Sequence, residues 1–177
     1  IGDPTGLSLP MFMEELFWGC AGIGLAVVMP ALALSAIGQA ASPEQMLLWA
    51  PECFGTPGDL KLAALAISEP EGGSDVRNLR TTARREPSGD WVLDGAKMWI
   101  TNGTIADVAV VWARTDPDGP DGGPGPMVQI IVPTATRGVD IVRGIGIWGR
   151  KTSDHCEVKY VDVRVPLANA LGAVGEG

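Results

Sequence analysis

Apolar residues recur at helical spacing up to about Leu60, and beyond it they alternate along short extended runs. The spacing predicts helices over residues 13–24, 27–39 and 43–49. Ser42-Pro43-Glu44-Gln45 reads as a helix start, with a hydroxyl cap, a proline where no N–H is needed and an early acid. Pro51 and the cluster Gly55-Thr56-Pro57-Gly58-Asp59 are expected to end helical structure. Residues 62–67 form a short apolar run that fits a strand or a buried turn, and residues 79–85 alternate. A turn at Pro87-Ser88-Gly89-Asp90 precedes a strand over 91–93. Asp94-Gly95 is a hairpin signal, and the next strand spans 97–101. Asn102-Gly103 turns the chain before a strand over 108–114, and further strands are expected at 128–132, 139–142 and 156–165. Residues 116–126, rich in Gly, Pro and Asp, are expected to form a mobile surface loop. Strands this short and this frequent imply an antiparallel sandwich or barrel. The expected class is therefore α+β: residues 1–62 the end of a helical bundle domain, residues 63–177 a β domain.

Composition narrows the functions available. Of 177 residues 46% are hydrophobic and 19% charged, which is enough apolar material for a core and excludes a disordered chain. The net charge of −8 excludes the basic footprint that nucleic acid requires, and equally a polybasic hold on anionic lipid. Cys20, Cys53 and Cys156 form no C-x-x-C pair, and with His155 the only histidine there is no zinc ligand set. An odd cysteine count without a signal peptide fits reduced thiols and a cytoplasmic protein. No charge interrupts the run between Glu15 and Glu44, which is long enough to span a bilayer. It is dominated by Gly and Ala, is broken by Pro30 and lacks flanking Lys or Arg, so a buried helical hairpin is expected, with no membrane. Ile1-Gly2-Asp3 and the glycine-rich final residues both read as cut ends.

Two segments carry candidate chemistry. Ala66-Ile67-Ser68-Glu69-Pro70-Glu71-Gly72-Gly73-Ser74-Asp75 is a loop leaving an apolar run; its glycines and serines fit an anion cradle as well as a plain tight turn. It is neither a P-loop nor a dinucleotide fingerprint, because no Gly-Lys-Ser/Thr follows and no correctly spaced helix opens. In Gly95-Ala96-Lys97-Met98-Trp99-Ile100-Thr101-Asn102-Gly103, period-two alternation puts Trp99 and Thr101 on one strand face. An indole beside a hydroxyl can flank a planar heterocycle, although a strand tryptophan commonly serves as core.

Taken together, Ser-Glu-Pro-x-Gly-Gly-Ser-Asp followed by Lys-Met-Trp-Ile-Thr-Asn-Gly closely resembles the acyl-CoA dehydrogenase family. The match extends to Glu15-Leu16-x-x-Gly19-Cys20-x-Gly22, Ala113-Arg114-Thr115-Asp116, Thr136-Arg137-Gly138-Val139, Gly149-x-Lys151-x-Ser153-Asp154 and the stretch from Tyr160 through Pro166. The resemblance implies FAD as cofactor, with Leu65, Ile67 and Ser68 facing the flavin ring and Gly73 and Ser74 meeting its pyrophosphate. Ser74 would also lie near the thioester arm of an acyl-CoA substrate. Trp99, Ile100 and Thr101 would border the reactive edge of the ring, Thr101 hydrogen-bonding near N5. Hydride arriving at N5 would leave negative charge on N1–C2=O, and fixed donors from the motif against the pyrimidine side would stabilise it. The implied partners are an electron-transfer flavoprotein as electron acceptor and further copies of the chain in a dimer or tetramer.

This sequence departs from the family at several points. Ser68 stands where threonine is usual and Lys151 where arginine is common, which removes a packing methyl and a bidentate donor. His155 replaces threonine and reads as a surface residue in a turn. The family's α-proton base, a glutamate, lies in a C-terminal helical domain that this chain stops short of. Glu69, Asp75 and Asp154 match positions with structural roles and are not nominated as the base. An acyl-CoA oxidase, a flavin monooxygenase on the same scaffold and a non-catalytic β module remain alternatives.

Overall fold

The computed structural model describes residues 5–115 and 125–175. Three helices open the chain: α1 (Ser8–Gly19), α2 (Ala21–Ala40) and α3 (Pro43–Phe54). The first break falls at Cys20, whose extended backbone (φ −162°, ψ 112°) separates α1 from α2, and not at residues 25–26 as the spacing predicts. Gly22 allows this junction to sit against the 152–153 loop, since a Cβ there would overlap Thr152 Oγ1 and lie 2.9 Å from the Ser153 amide. The start of α3 is the expected one. Ser42 accepts from the Gln45 amide and Gln45 Oε1 accepts from the Ser42 amide, a reciprocal cap. Gln45 Nε2 also donates to the Ala168 and Ala170 carbonyls, which ties the helix start to the far end of the chain. Pro51 does not end α3, which continues to Phe54 and stops at Gly55.

Pro30 lies inside α2 and has no N–H to offer the Ala26 carbonyl one turn earlier. That carbonyl is satisfied from outside the helix: Asn102 Nδ2 donates to it at 2.8 Å, and Asn102 itself is fully buried.

A small hairpin, β1 (Gly55–Thr56) with β2 (Asp59–Leu60), leads into an eight-stranded sheet. Its strands are β3 (Ala63–Ala66), β4 (Thr82–Arg85), β5 (Trp91–Thr101), β6 (Val108–Arg114), β7 (Met127–Pro133), β8 (Val139–Gly144), β9 (His155–Val165) and β10 (Ala170–Leu171). The order β10-β7-β6-β4-β5-β9-β8 leaves β10 and β8 as edges, so the sheet is sandwich-like and not a closed barrel. Pairing is antiparallel except where β3, and one residue of β4, run parallel to β6. The expected loop at residues 116–126 lies mostly outside the described residues.

Period-two alternation divides the sheet into two faces. Ala63, Val108, Val110 and Ile131 pack against Ala33, Ala36, Ile37 and Cys53 of the helices. Ala64, Ala66, Ala109, Val111, Ile130 and Val132 face the other way, into a second core with Trp91, Leu93, Val158 and Val163. Burial of these β-branched and small side chains on both faces explains why β6 and β7 read as continuous apolar runs. The helical layer thereby rests α2 directly behind β3 and the end of β5.

The Asp94-Gly95 hairpin is not formed. Strand β5 runs without interruption through both residues, and the extra residue sits instead in its partner β9, since Leu93 pairs with Val163 but Gly95 with Tyr160. Asp162 takes the left-handed conformation (φ +50°), and its amide donates to Asp94 Oδ1 at 2.9 Å. Gly95 serves close approach, because a Cβ there would lie 2.6–2.8 Å from Thr81.

A candidate flavin wall

Beyond Gly95 the β5–β9 ladder is regular as far as Lys97↔Val158 and resumes at Ile100↔Cys156. Three steps along β5 thus face two along β9, and the residue in excess bulges out. At this point Trp99 adopts φ +64°, a left-handed conformation that bulky residues avoid. The bulge turns its indole outward, leaving Trp99 55% exposed while Met98 and Ile100 on either side are buried. Simple alternation therefore fails here, and Thr101, 5% exposed, reaches the same cleft from the buried side.

That cleft, about 210 Å³, is lined by Leu65, Ile67, Ser68, Trp99, Ile100 and Thr101, with Met29 and Leu32 contributed by α2. The structure thus gathers six of the anticipated residues into one wall. Gly73 and Ser74 are not part of it; they lie exposed on the neighbouring turn, whose Glu69 and Gly72 exchange backbone hydrogen bonds of 2.9 and 3.1 Å. A Cβ on Gly73 would stand 3.6 Å from Ser68 Oγ, so the turn remains adjacent to the wall. Met29 and Leu32 were not anticipated, because an all-apolar helix gives no polar phase from which to pick a functional face.

Behind the wall lies a buried ion pair. Lys97, fully buried, donates to Glu69 Oε1 at 2.9 Å and to the Ile67 carbonyl at 3.0 Å. Glu69 also accepts from the Arg80 amide (2.6 Å), the Thr81 amide (2.9 Å) and Thr81 Oγ1 (2.6 Å). Burial pulls the Lys97 ammonium down to about 8, although Glu69 opposes the shift. Burial acts to raise the Glu69 carboxyl, but the donors from Thr81, Arg80 and Lys97 outweigh it and leave the group below its usual value. Sequence reasoning missed Lys97, since a lysine is read as exposed unless its partner is visible.

The remaining motif residues have structural duties. Asp154 Oδ2 accepts from the Thr104 amide at 3.0 Å and the Asp154 carbonyl accepts from the Asn102 amide at 3.1 Å, which fixes the turn after β5. Asp75 pairs with Asn78 at 2.5 Å. Arg114, buried, donates to the Leu79 and Gly125 carbonyls. His155 is not the surface residue expected. It begins β9 opposite Thr101, 4% exposed, with Nδ1 3.4 Å from the Ser153 carbonyl, and burial lowers its pKa. Among the described residues no group of His, Cys, Asp and Glu is arranged to hold a metal ion, and the three cysteines are free thiols.

The sandwich-like sheet thus presents a half-exposed indole and two hydroxyl-bearing residues in one cleft, with α2 contributing to its lining. Residues 64–163 match the family model for the acyl-CoA dehydrogenase middle domain, more than half of the sequence. The chain belongs to the acyl-CoA dehydrogenase family. It is 37% identical over 173 residues to the human mitochondrial short-chain specific acyl-CoA dehydrogenase, covering 97% of this chain and 40% of that protein. Butyryl-CoA dehydrogenase from Megasphaera elsdenii superposes with a TM-score of 0.82 at 31% identity, covering 93% of this chain and 42% of that one. A glutaryl-CoA dehydrogenase from Mycobacterium smegmatis, solved in complex with FADH2, gives 0.78 at 36% identity, covering 93% and 40%. The chain thus spans about 40% of the length of curated relatives it matches.

Proposed function

We propose that this chain is the flavin-binding portion of an FAD-dependent acyl-CoA dehydrogenase, which removes hydrogen across the α,β bond of an acyl-CoA thioester. The observation that carries this reading is the Trp99 bulge. A left-handed, half-exposed tryptophan on a strand is costly unless a partner covers it, and Ser68 and Thr101 stand beside it in the same cleft. The residues present fit an isoalloxazine ring: the indole offers an apolar face, the two hydroxyls offer donors, and Met29 and Leu32 close the helical side. When bound, the flavin supplies the hydride acceptor. This chain's part is to orient the ring, keep water from one side of it and direct donors at the edge where charge develops. Gly73 and Ser74, on the adjacent exposed turn, are proposed to meet the pyrophosphate, with Ser74 also near the thioester arm. Electrons would leave to an electron-transfer flavoprotein. The test is purification of the complete protein followed by anaerobic titration with acyl-CoAs of different chain lengths. A yellow protein bleached by at least one of them is expected; a colourless protein that FAD does not reconstitute would overturn the reading.

The same reading assigns the apolar helices to protein contacts. Helix α2 is long and apolar enough to cross a membrane by length and composition, but Gly22, Gly24, Pro30, Ala33, Ala36 and Ile37 are buried within the fold. Helices α1 and α3 expose Leu9, Phe12, Trp18, Leu47 and Leu48, an apolar surface suited to further helices or another copy of the chain. The 177-residue chain expressed alone is expected to self-associate yet to be released from membranes by carbonate. Recovery in the carbonate-resistant pellet would contradict this.

A further inference from the structure

Neither Lys97 nor Glu69 lines the cleft, yet both are connected to what does. The Ile67–Glu69 segment is joined to β5 by the Met98 amide donating to the Ser68 carbonyl at 2.9 Å and by Lys97 Nζ donating to Ile67 O and Glu69 Oε1. The next residue along β5 is Trp99, at the bulge. We propose that the buried Lys97–Glu69 pair is a positioning device for the flavin wall: it fixes the Ile67–Ser68 backbone against β5 and so sets where Ser68 and Trp99 stand. The inference rests on the flavin reading given above.

The chemistry argues for positioning and against simple packing. An apolar pair of similar volume fills such a space with equal or better stability, because two charges lose their hydration on burial. What an apolar pair cannot supply is a directed N–H bond to the Ile67 carbonyl. The carboxylate in turn is anchored from Arg80 and Thr81, on the segment that leads into β4. Gly95 permits the close approach of β5 to Thr81 that this arrangement needs. A bulge with a left-handed tryptophan persists where neighbouring contacts over-determine it, and these contacts flank it on the cleft's inner side.

The experiment compares the complete protein with Lys97→Met and with the charge-balanced double variant Glu69→Gln/Lys97→Met. In the double variant thermal stability is expected to return close to that of the parent, since no unpaired charge remains buried. The wall is not expected to recover. Hydrogen exchange of the apoprotein over residues 67–69 and 97–101 should be at least about tenfold faster than in the parent. The FAD dissociation constant should rise by about tenfold, with a changed flavin visible spectrum. A stable double variant with exchange and FAD affinity within twofold of the parent would overturn the proposal and leave the pair a packing feature. Should neither Lys97 variant fold, Thr81→Val removes one donor to Glu69 without removing a charge; it should shift exchange and affinity in the same direction by less, and no shift would overturn the proposal. A parent protein that takes up no FAD would sink the dehydrogenase reading, while the exchange measurement on the apoprotein would still decide whether the pair holds this wall.

Discussion

The 177-residue chain on its own is expected to take up FAD weakly and to leave it oxidised when mixed with acyl-CoA. Among the described residues no acid lines the cleft formed by Leu65, Ile67, Ser68, Trp99, Ile100 and Thr101 with Met29 and Leu32. Glu69, next in sequence to Ser68, has its oxygens engaged by Lys97, Thr81 and the Arg80 amide, and these donors hold its carboxyl below the usual value, which makes it a weak and already occupied base. Asp154 and Asp75 are committed to the Thr104 amide and to Asn78. Abstraction of a thioester α-proton needs a positioned base, a contribution typically worth roughly 10²–10⁴-fold. Anaerobic mixing of the FAD-loaded chain with a panel of acyl-CoAs, followed at the flavin visible maximum, is the test. Bleaching at an ordinary enzymatic rate, about 1–10³ per second, would show that a base lies within these residues.

In the complete enzyme, Thr101→Ala is expected to slow flavin reduction by roughly a hundredfold or more. The loss of one donor aimed at developing charge commonly costs about 2.7–4 kcal/mol. Thr101 is 5% exposed, so water has little access to replace the missing hydroxyl. Ser68→Ala should cost less. Its backbone stays in place through the bond from the Met98 amide to its carbonyl, and its own N–H remains available to a ligand. Stopped-flow reduction rates that match the parent in both variants would remove these hydroxyls from the site.

The change from helical to strand period near residue 60 was legible because it rests on local spacing. So was the Ser42–Gln45 cap, which is a four-residue event. The break at Cys20 was not legible, because residues around it are apolar on every side and their spacing has no phase to lose. Asp94-Gly95 misled for a different reason: the dipeptide that forms a tight hairpin also serves a strand whose partner bulges, and only the register with β9 separates the two. The parallel pairing of β3 with β6 joins residues about 45 positions apart and leaves no local trace. For the site, the paired motifs name Leu65, Ile67, Ser68, Trp99, Ile100 and Thr101, which share one cleft. They could not reveal the bulge that exposes Trp99, nor the burial of Lys97 and His155, because each depends on a segment distant in sequence.

The bond from Asn102 to the Ala26 carbonyl makes positions 30 and 102 dependent on each other. While Pro30 is present, α2 has no donor of its own for that carbonyl, and an asparagine after β5 is the group that answers it. Replacing the asparagine first leaves a part-buried acceptor without this donor. Replacing the proline first, with a residue that carries an N–H, lets the helix close its own ladder and lifts this one demand from position 102, whose left-handed backbone (φ +62°) still suits asparagine. The order of change is therefore asymmetric: Pro30 adds a demand on the Asn102 side chain that only its own replacement lifts, so the asparagine of the Trp-Ile-Thr-Asn-Gly stretch answers in part to a helix it never belongs to.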